Sequence, residues 1–158
     1  MKNLLLMRHA PAADKTIGQT DFDREITLLG QRRAGEAGQW LRSQSLQPEL
    51  VLCSSSVRTR MTLEHLLSEV GHKVPVQFER DIYYGAEQDL LSLLHGVGND
   101  VDTLLVIGHN PTISFLASSL AHEEVSFSPA SIAHLHFNGY NWENLRAGSC
   151  KLHVLYRE

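Results

Sequence analysis

The sequence predicts an α/β protein, a three-layer α/β/α sandwich around a mostly parallel central sheet. Three observations carry that expectation. The apolar runs Leu4–Met7, Leu50–Cys53 and Leu104–Ile107 are unbroken and short, as buried strands are. Strand-like and helix-like segments alternate through the first two thirds of the chain. With 158 residues, 42% of them hydrophobic and no internal repeat or low-complexity tract, the chain has the size and core of one globular domain spanning residues 1–158.

Taken in order, Asn3–Arg8 reads as a buried first strand rather than a signal peptide, since no small-residue cleavage site follows its apolar stretch. Residues 10–26 form a polar loop. Thr27 is placed to cap a helix from Leu28 to about Ser45, with Leu29, Ala37, Trp40 and Leu41 turned to the core. Glu49–Cys53 is a second strand. Ser54, Ser55 and Ser56 offer caps for a helix carrying Met61, Leu63, Leu66, Leu67 and Val70. Val74–Phe78 is a third strand, and a helix follows from about Ala86 to His95. Thr103–Ile107 is the most apolar strand. After it Gly108-His109-Asn110-Pro111 reads as a turn, with Asn110 as the cap and Pro111 in the first helical position of a helix reaching about Leu120. Ile132–Phe137 and Lys151–Tyr156 are later strands, and Val125–Ser128 reads as a further short one.

Composition excludes several classes of function. The formal charge of −4 argues against a nucleic-acid partner, and no apolar run approaches the length of a membrane span. Two cysteines, Cys53 and Cys150, lie in no C-x-x-C pair, so reduced thiols in the cytoplasm are expected. The charge is unevenly spread: residues 1–60 carry +3 and residues 61–158 carry −7, and ten of the fourteen basic residues are Arg. Guanidinium groups match phosphate and carboxylate oxygens in pairs, so the uneven charge points to a small or localised anion.

Open sheets of this class bind ligands beyond the carboxyl ends of their strands. Three such ends carry Arg8-His9-Ala10, Ser54 to Arg58, and His109, while Arg24 lies in the loop before Thr27. Each alone has an ordinary explanation: a solvated strand end, a surface charge on a helix, a residue at a helix entry. The predicted topology gathers them at one edge. Two imidazoles among several guanidiniums make a poor cation site and a good phosphoryl site.

These residues resemble the histidine phosphatase superfamily, the phosphoglycerate mutase-like fold. The resemblance rests on Arg8-His9-Ala10 after a strand, Ser54-x-x-x-Arg58, and Gly108-His109-Asn110-Pro111 after a fourth strand. Arg24-x-x-Thr27-x-x-Gly30 and the short chain look most like its SixA-type phosphohistidine phosphatases. The resemblance implies that His9 is a nucleophile that becomes phosphorylated, that Arg8, Arg24 and Arg58 hold the phosphoryl oxygens, and that His109 completes the pocket; donation from His109 to a bound phosphate oxygen fits a cationic ring, but its protonation state is not fixed by the sequence. It also implies no cofactor and no metal, and a phosphohistidine-bearing signalling or phosphotransfer protein as partner. Ser131 falls near a further family contact. Two departures stand out: Ser54-Ser55 replaces the frequent Ser-Pro, and Thr59 stands where Ala often follows the second Arg. Relatives that cleave phosphate esters use a carboxylic acid, for which Glu79 and Asp81 are the nearby candidate general acids. A broad phosphomonoesterase and a non-catalytic phosphate-recognition module are therefore the alternatives.

The remaining histidines and tryptophans carry no chemical role in this pattern. His134 and His136 share one strand face without a third ligand of recognisable spacing, which reads as an exposed face. His122 reads as part of a solvated turn. His65, His72, His95 and His153 have no partner arguable from sequence. Trp40 and Trp142 read as packing residues.

Overall fold

A computed structural model describes residues 1–157. Among them the strands β1 (Lys2–Arg8), β2 (Leu50–Ser54), β3 (Val76–Glu79), β4 (Thr103–Gly108), β5 (Ile132–Phe137) and β6 (Cys150–Tyr156) form one sheet in the order β3-β2-β4-β1-β5-β6. The pairings from β3 to β1 are parallel, while β5 and β6 run antiparallel. The helices are α1 (Leu28–Ser43), α2 (Val57–Val70), α3 (Asp81–Tyr84), α4 (Glu87–His95) and α5 (Thr112–Ala121).

Helices cover both faces of the sheet, which is why the central strands carry the unbroken apolar runs Leu4–Met7, Leu50–Cys53 and Leu104–Ile107. Leu5, Met7, Val51, Cys53, Leu105 and Ile107 pack with Ala34, Ala37 and Leu41 of α1 and Leu63 and Leu66 of α2. On the other face Leu4, Leu6, Leu52, Leu104 and Val106 pack with Leu90 and Leu94 of α4 and Ile113, Leu116 and Leu120 of α5. Each fully buried aliphatic side chain contributes roughly 1.5–3 kcal/mol of transfer free energy. The Thr27 hydroxyl caps α1 by accepting from the Gly30 N–H at 3.0 Å.

Some sequence expectations need correction. Leu29 is 43% exposed. The buried residues of α1 are Gly30, Ala34, Ala37, Gly38 and Leu41, a stripe that Leu29 misses by one position. Trp40 is only partly buried and stacks on Tyr156 with ring centroids 4.7 Å apart. Val125–Ser128 forms no strand, because side chains take its backbone groups. The Ser118 hydroxyl binds both the N–H and the C=O of Val125, and the Phe127 carbonyl accepts from Arg8 and Asn110. Helix α5 begins at Thr112, and Asn110 does not cap it; its amide joins Phe127 and Ser114 instead. The sequence pattern gives no sign of the four-residue α3.

What matters for function is that β2, β4 and β1 are adjacent and parallel. Their carboxyl ends bring Ser54, His109 and His9 to one edge.

Candidate active site

His9 is the first residue past β1, and the backbone holds it on both sides. Its N–H donates to the Gly108 carbonyl at 3.0 Å, and its own carbonyl accepts from Ala130 N–H at 3.0 Å. Its Nδ1 lies 2.8 Å from the Ala10 carbonyl. A carbonyl can only accept, so Nδ1 carries the proton and Nε2 keeps a free lone pair. The rings of His9 and His109 lie 5.4 Å apart, tilted by 55°. His109 Nε2 contacts the Ser54 hydroxyl at 2.8 Å.

Three guanidiniums surround these rings. Arg8, Arg24 and Arg58 line a cavity of about 380 Å³ with His9, His109, Asn110 and Pro129. Arg8 is tethered by Nη1 to the Phe127 carbonyl at 3.0 Å. Arg58 is 5% exposed and donates Nη1 and Nη2 to the carbonyl and carboxylate of Asp21, at 2.8 and 3.1 Å. Arg24 donates Nε to the other Asp21 oxygen at 2.9 Å and Nη1 to the Ala13 carbonyl at 3.0 Å. Thr62 ties this edge together: its hydroxyl accepts from Ala10 N–H and donates to the Arg58 carbonyl.

Among the described residues, three buried side-chain nitrogens have no hydrogen-bond partner: Arg8 Nε, Arg58 Nε and His109 Nδ1. All three belong to residues of this cavity. Folded proteins rarely leave buried polar groups unpaired, so their concentration here marks a site that meets a polar ligand. The surrounding charge decides which kind. Guanidiniums repel cations and favour an anion with several oxygens.

The same charges, with burial, fix the state of the imidazoles. Desolvation first, then Arg58, Arg8 and Arg24, outweigh the Ala10 carbonyl and hold His9 down to about 4. Desolvation, then His9 and Arg58, push His109 to about 3. Both rings are therefore neutral at neutral pH. An imidazolium at His109 is a form expected only with the anion bound, and the free pocket holds the neutral ring.

The carboxylate at the site is Asp21, to which the sequence reading gave no role. Hydrogen bonds from Tyr83 (2.6 Å) and Arg24, together with Arg58, hold it well below the usual carboxylate range against a smaller desolvation effect. Tyr83 also sets its ring edge-on to His109 at 5.3 Å and lies under the Arg58 guanidinium at 5.6 Å. Neither Glu79 nor Asp81 borders the cavity. Glu79 lines a groove with Leu50, Leu52 and Gln77, and exposed Asp81 opens α3. Asp21 lies one turn before Arg24, which was the available signal for it. Ser131 is fully buried and also stands back from the pocket: its hydroxyl pairs with Ser128, and its carbonyl accepts from Arg8 N–H.

The His134/His136 expectation also changes. His134 is buried, not on an exposed face, and His153 lies beside both rings. His72 and His95 have partners as well, donating from Nε2 to the carbonyls of Pro48 and Leu145.

Comparison with known proteins shows the family and the fold. The profile of the histidine phosphatase superfamily, branch 1, matches residues 4–87. An uncharacterised protein of Mycobacterium tuberculosis is 39% identical over 127 residues, 80% of this chain and 76% of its own. A phosphohistidine phosphatase SixA homolog of Haemophilus influenzae is 27% identical over 90% of this chain and 93% of its own. A structure from Nakamurella multipartitia, provisionally assigned as a phosphohistidine phosphatase SixA, superposes with a TM-score of 0.87 at 30% identity, covering 99% of this chain and 95% of that one. No helix among the described residues is long and apolar enough to cross a membrane. A strand-edge pocket of two neutral imidazoles and three guanidiniums, on a SixA-like fold matched by the branch 1 profile, thus assigns the chain to branch 1 of the histidine phosphatase superfamily, as a phosphatase.

Proposed function

We propose that this chain is a metal-independent phosphohistidine phosphatase acting on a phosphorylated protein, with His9 as the transiently phosphorylated nucleophile. The observation that carries the reading is the His9 tautomer: Nδ1–H is held by the Ala10 carbonyl, leaving Nε2 unprotonated in a cavity lined by Arg8, Arg24, Arg58 and His109. A neutral imidazole can attack phosphorus without first losing a proton. In the first step the P–Nε2 bond forms, and the bond from phosphorus to the substrate imidazole breaks. That ring leaves with the electron pair, neutral when its other nitrogen carries a proton. In the second step water attacks phosphorus, its protons pass to the released phosphate and solvent, and the P–N electron pair returns to Nε2. The guanidiniums meet the charge spread over the equatorial oxygens, and the unpaired Nε–H groups of Arg8 and Arg58 are donors available for it.

Two features favour a phosphohistidine over a phosphate ester. An alkoxide leaving group needs a proton donor more than an imidazole does, and neither Glu79 nor Asp81 borders the cavity. Only α4 and short flanking loops lie between α3 and β4, leaving the cavity open to a side chain presented by another protein. A SixA structure holding tungstate, a tetrahedral oxyanion, is consistent with an anion at such a site. The free, buried thiols of Cys53 and Cys150 suit a reducing compartment, and we infer the cytoplasm.

The test compares chelator-treated protein on a phosphohistidine protein, an aryl phosphate and sugar phosphates. The expected result is preferential turnover of the phosphohistidine protein through an acid-labile phosphoenzyme that His9→Ala abolishes. Faster hydrolysis of the esters would overturn the substrate assignment, and full activity in His9→Ala would overturn the mechanism.

A further inference from the structure

The sheet carries a second histidine cluster, independent of the phosphoryl pocket. In the ladder His134 of β5 sits opposite Leu5 of β1, and His136 opposite Asn3. They therefore share the α1/α2 face of the sheet, toward the amino end of β1, whereas His9 lies past its carboxyl end. Four to six residues of strand separate the two places, about 13–20 Å. We propose that His134, His136 and His153 form a three-imidazole site for a divalent transition-metal ion, with Zn²⁺ the best match.

Local backbone structure brings the third ring in. Along β5 and β6 the register runs His134↔Val154 and then Leu135↔Leu152, so His153 is an extra residue in a β-bulge. In an unbroken ladder His153 would face Leu135 and point to the opposite side of the sheet. The bulge turns it toward His134 and His136, the kind of re-aiming that bulges provide. The ring centroids are 4.7 Å apart for His134–His136, 5.2 Å for His134–His153 and 4.6 Å for His136–His153. One ligand nitrogen from each ring lies within 4.8 Å of the others. Three nitrogens on one zinc ion at ~2.1 Å lie about 3.4 Å apart in a tetrahedral site. Side-chain rotation of half-buried His136 and exposed His153 can supply that closure.

A hydrogen bond behind the cluster prepares the buried ligand. Asn3 Nδ2 donates to the Thr103 hydroxyl at 3.4 Å, which leaves Asn3 Oδ1 to accept from His134 Nε2 at 2.9 Å. His134 is therefore protonated on Nε2 and keeps its lone pair on Nδ1. Metal-bound histidines are commonly oriented by such an outer partner. Neutral imidazoles select Zn²⁺, Cu²⁺, Ni²⁺ or Co²⁺ over Mg²⁺ and Ca²⁺. Exposed Lys151, opposite His136, is the opposing charge, and its long stem can carry the ammonium outward. A fourth position would remain for water or another ligand, and the ion would clamp edge strand β6 to β5.

The test uses tag-free, chelator-dialysed full-length protein titrated calorimetrically with ZnCl₂, with Co²⁺ absorption as a second readout of imidazole ligation. The expected result is saturable one-to-one binding, weakened at least about tenfold by His136→Gln and by His153→Gln and unchanged in His9→Gln. The thermal midpoint should rise with Zn²⁺ in wild type and His9→Gln, but not in His153→Gln. Positions 136 and 153 are accessible enough that circular dichroism should show both variants folded. Absence of saturable binding would overturn the site, as would binding lost in His9→Gln and kept in His153→Gln.

Discussion

The Asp21 carboxylate and the Arg58 guanidinium form an ion pair at 3.1 Å between an exposed acid and a buried base. The same carboxylate accepts from Tyr83 and Arg24, so one side chain orients two of the three cationic groups at the phosphoryl pocket. Removing it leaves the charges but frees their positions, and misplacing groups at a reacting centre by an ångström costs on the order of 100-fold in rate. Asp21→Ala should therefore lower kcat/KM on a phosphohistidine protein by about 10–100-fold, while Asp21→Asn, which can still accept, loses less. Steady-state kinetics of the two variants check this. Equal losses would show that the charge alone matters.

Asp21 also links stability to acid. Its folded pKa lies below the unfolded value, so its contribution is complete above about 4 and is lost as the pH falls below that. The difference in urea midpoint between wild type and Asp21→Asn should shrink between pH 6 and pH 3.

The imidazoles have a higher window. His9 and His109 are held near 4 and 3 in the folded chain, against 6.5 when unfolded. The unfolded state therefore binds protons first, and stability should decline as the pH falls from 6.5 toward 4. His109→Gln should flatten that decline in urea titrations. In single-turnover labelling, phosphoenzyme formation should persist well below pH 6.5 and fail only near 4, where His9 Nε2 becomes protonated. A limb centred at 6.5 would mean that the ring is not desolvated.

How much of this could be read from the sequence depends on the distance over which each residue's role is decided. The strands were legible because burial on both faces leaves unbroken apolar runs, and the gathering of His9, Arg58 and His109 followed from parallel topology. Leu29 was misplaced because a one-residue error turns a helix position by about 100°, out of the Gly30–Leu41 stripe. Val125–Ser128 looked like a strand because its composition fits one, yet Ser118, Arg8 and Asn110 claim its backbone from elsewhere in the chain. His153 could not be joined to His134 and His136, because strand alternation places it on the wrong face and only the bulge reverses that. Asp21 is not legible because the loop before α1 also holds Asp14, Asp23 and Glu25, and only the fold decides which of these acids meets Arg58.

Thr62 tests whether the edge of the sheet is held by a hydroxyl. It is fully buried, accepts from Ala10 N–H at 3.0 Å and donates to the Arg58 carbonyl at 2.7 Å. Thr62→Val keeps the volume and strands a buried N–H beside His9, a loss of about 1–3 kcal/mol. Thr62→Ser should recover most of that. Urea unfolding of the pair distinguishes the hydroxyl from the methyl as the cause.

Thiol reactivity should follow burial. Desolvation pushes Cys53 up to about 12 and Cys150 to about 11, and both are buried. With almost no thiolate at pH 8, neither should react with a disulfide reagent in the folded protein, and both should react in denaturant. Rapid labelling of native protein would show that one of them opens to solvent.

Two glycines of α1 make opposite predictions from the same substitution. In mid-helix, Gly→Ala is worth about 1 kcal/mol of helix propensity where space permits. At Gly35 an added Cβ would meet only Glu69 Cγ at 3.8 Å, an ordinary contact, so Gly35→Ala should stabilise by about that amount. At Gly38 it would fall on the Leu66 backbone carbonyl and come within 3.1 Å of Glu69 Cβ, and backbone cannot swing aside. Overpacking costs of roughly 1–3 kcal/mol then exceed the propensity gain, and forcing α1 from α2 also disturbs the helix that carries Arg58. Gly38→Ala should lower the urea midpoint while Gly35→Ala raises it. A midpoint raised by both would mean that α1 and α2 are less closely packed than Gly38 and Leu66 indicate.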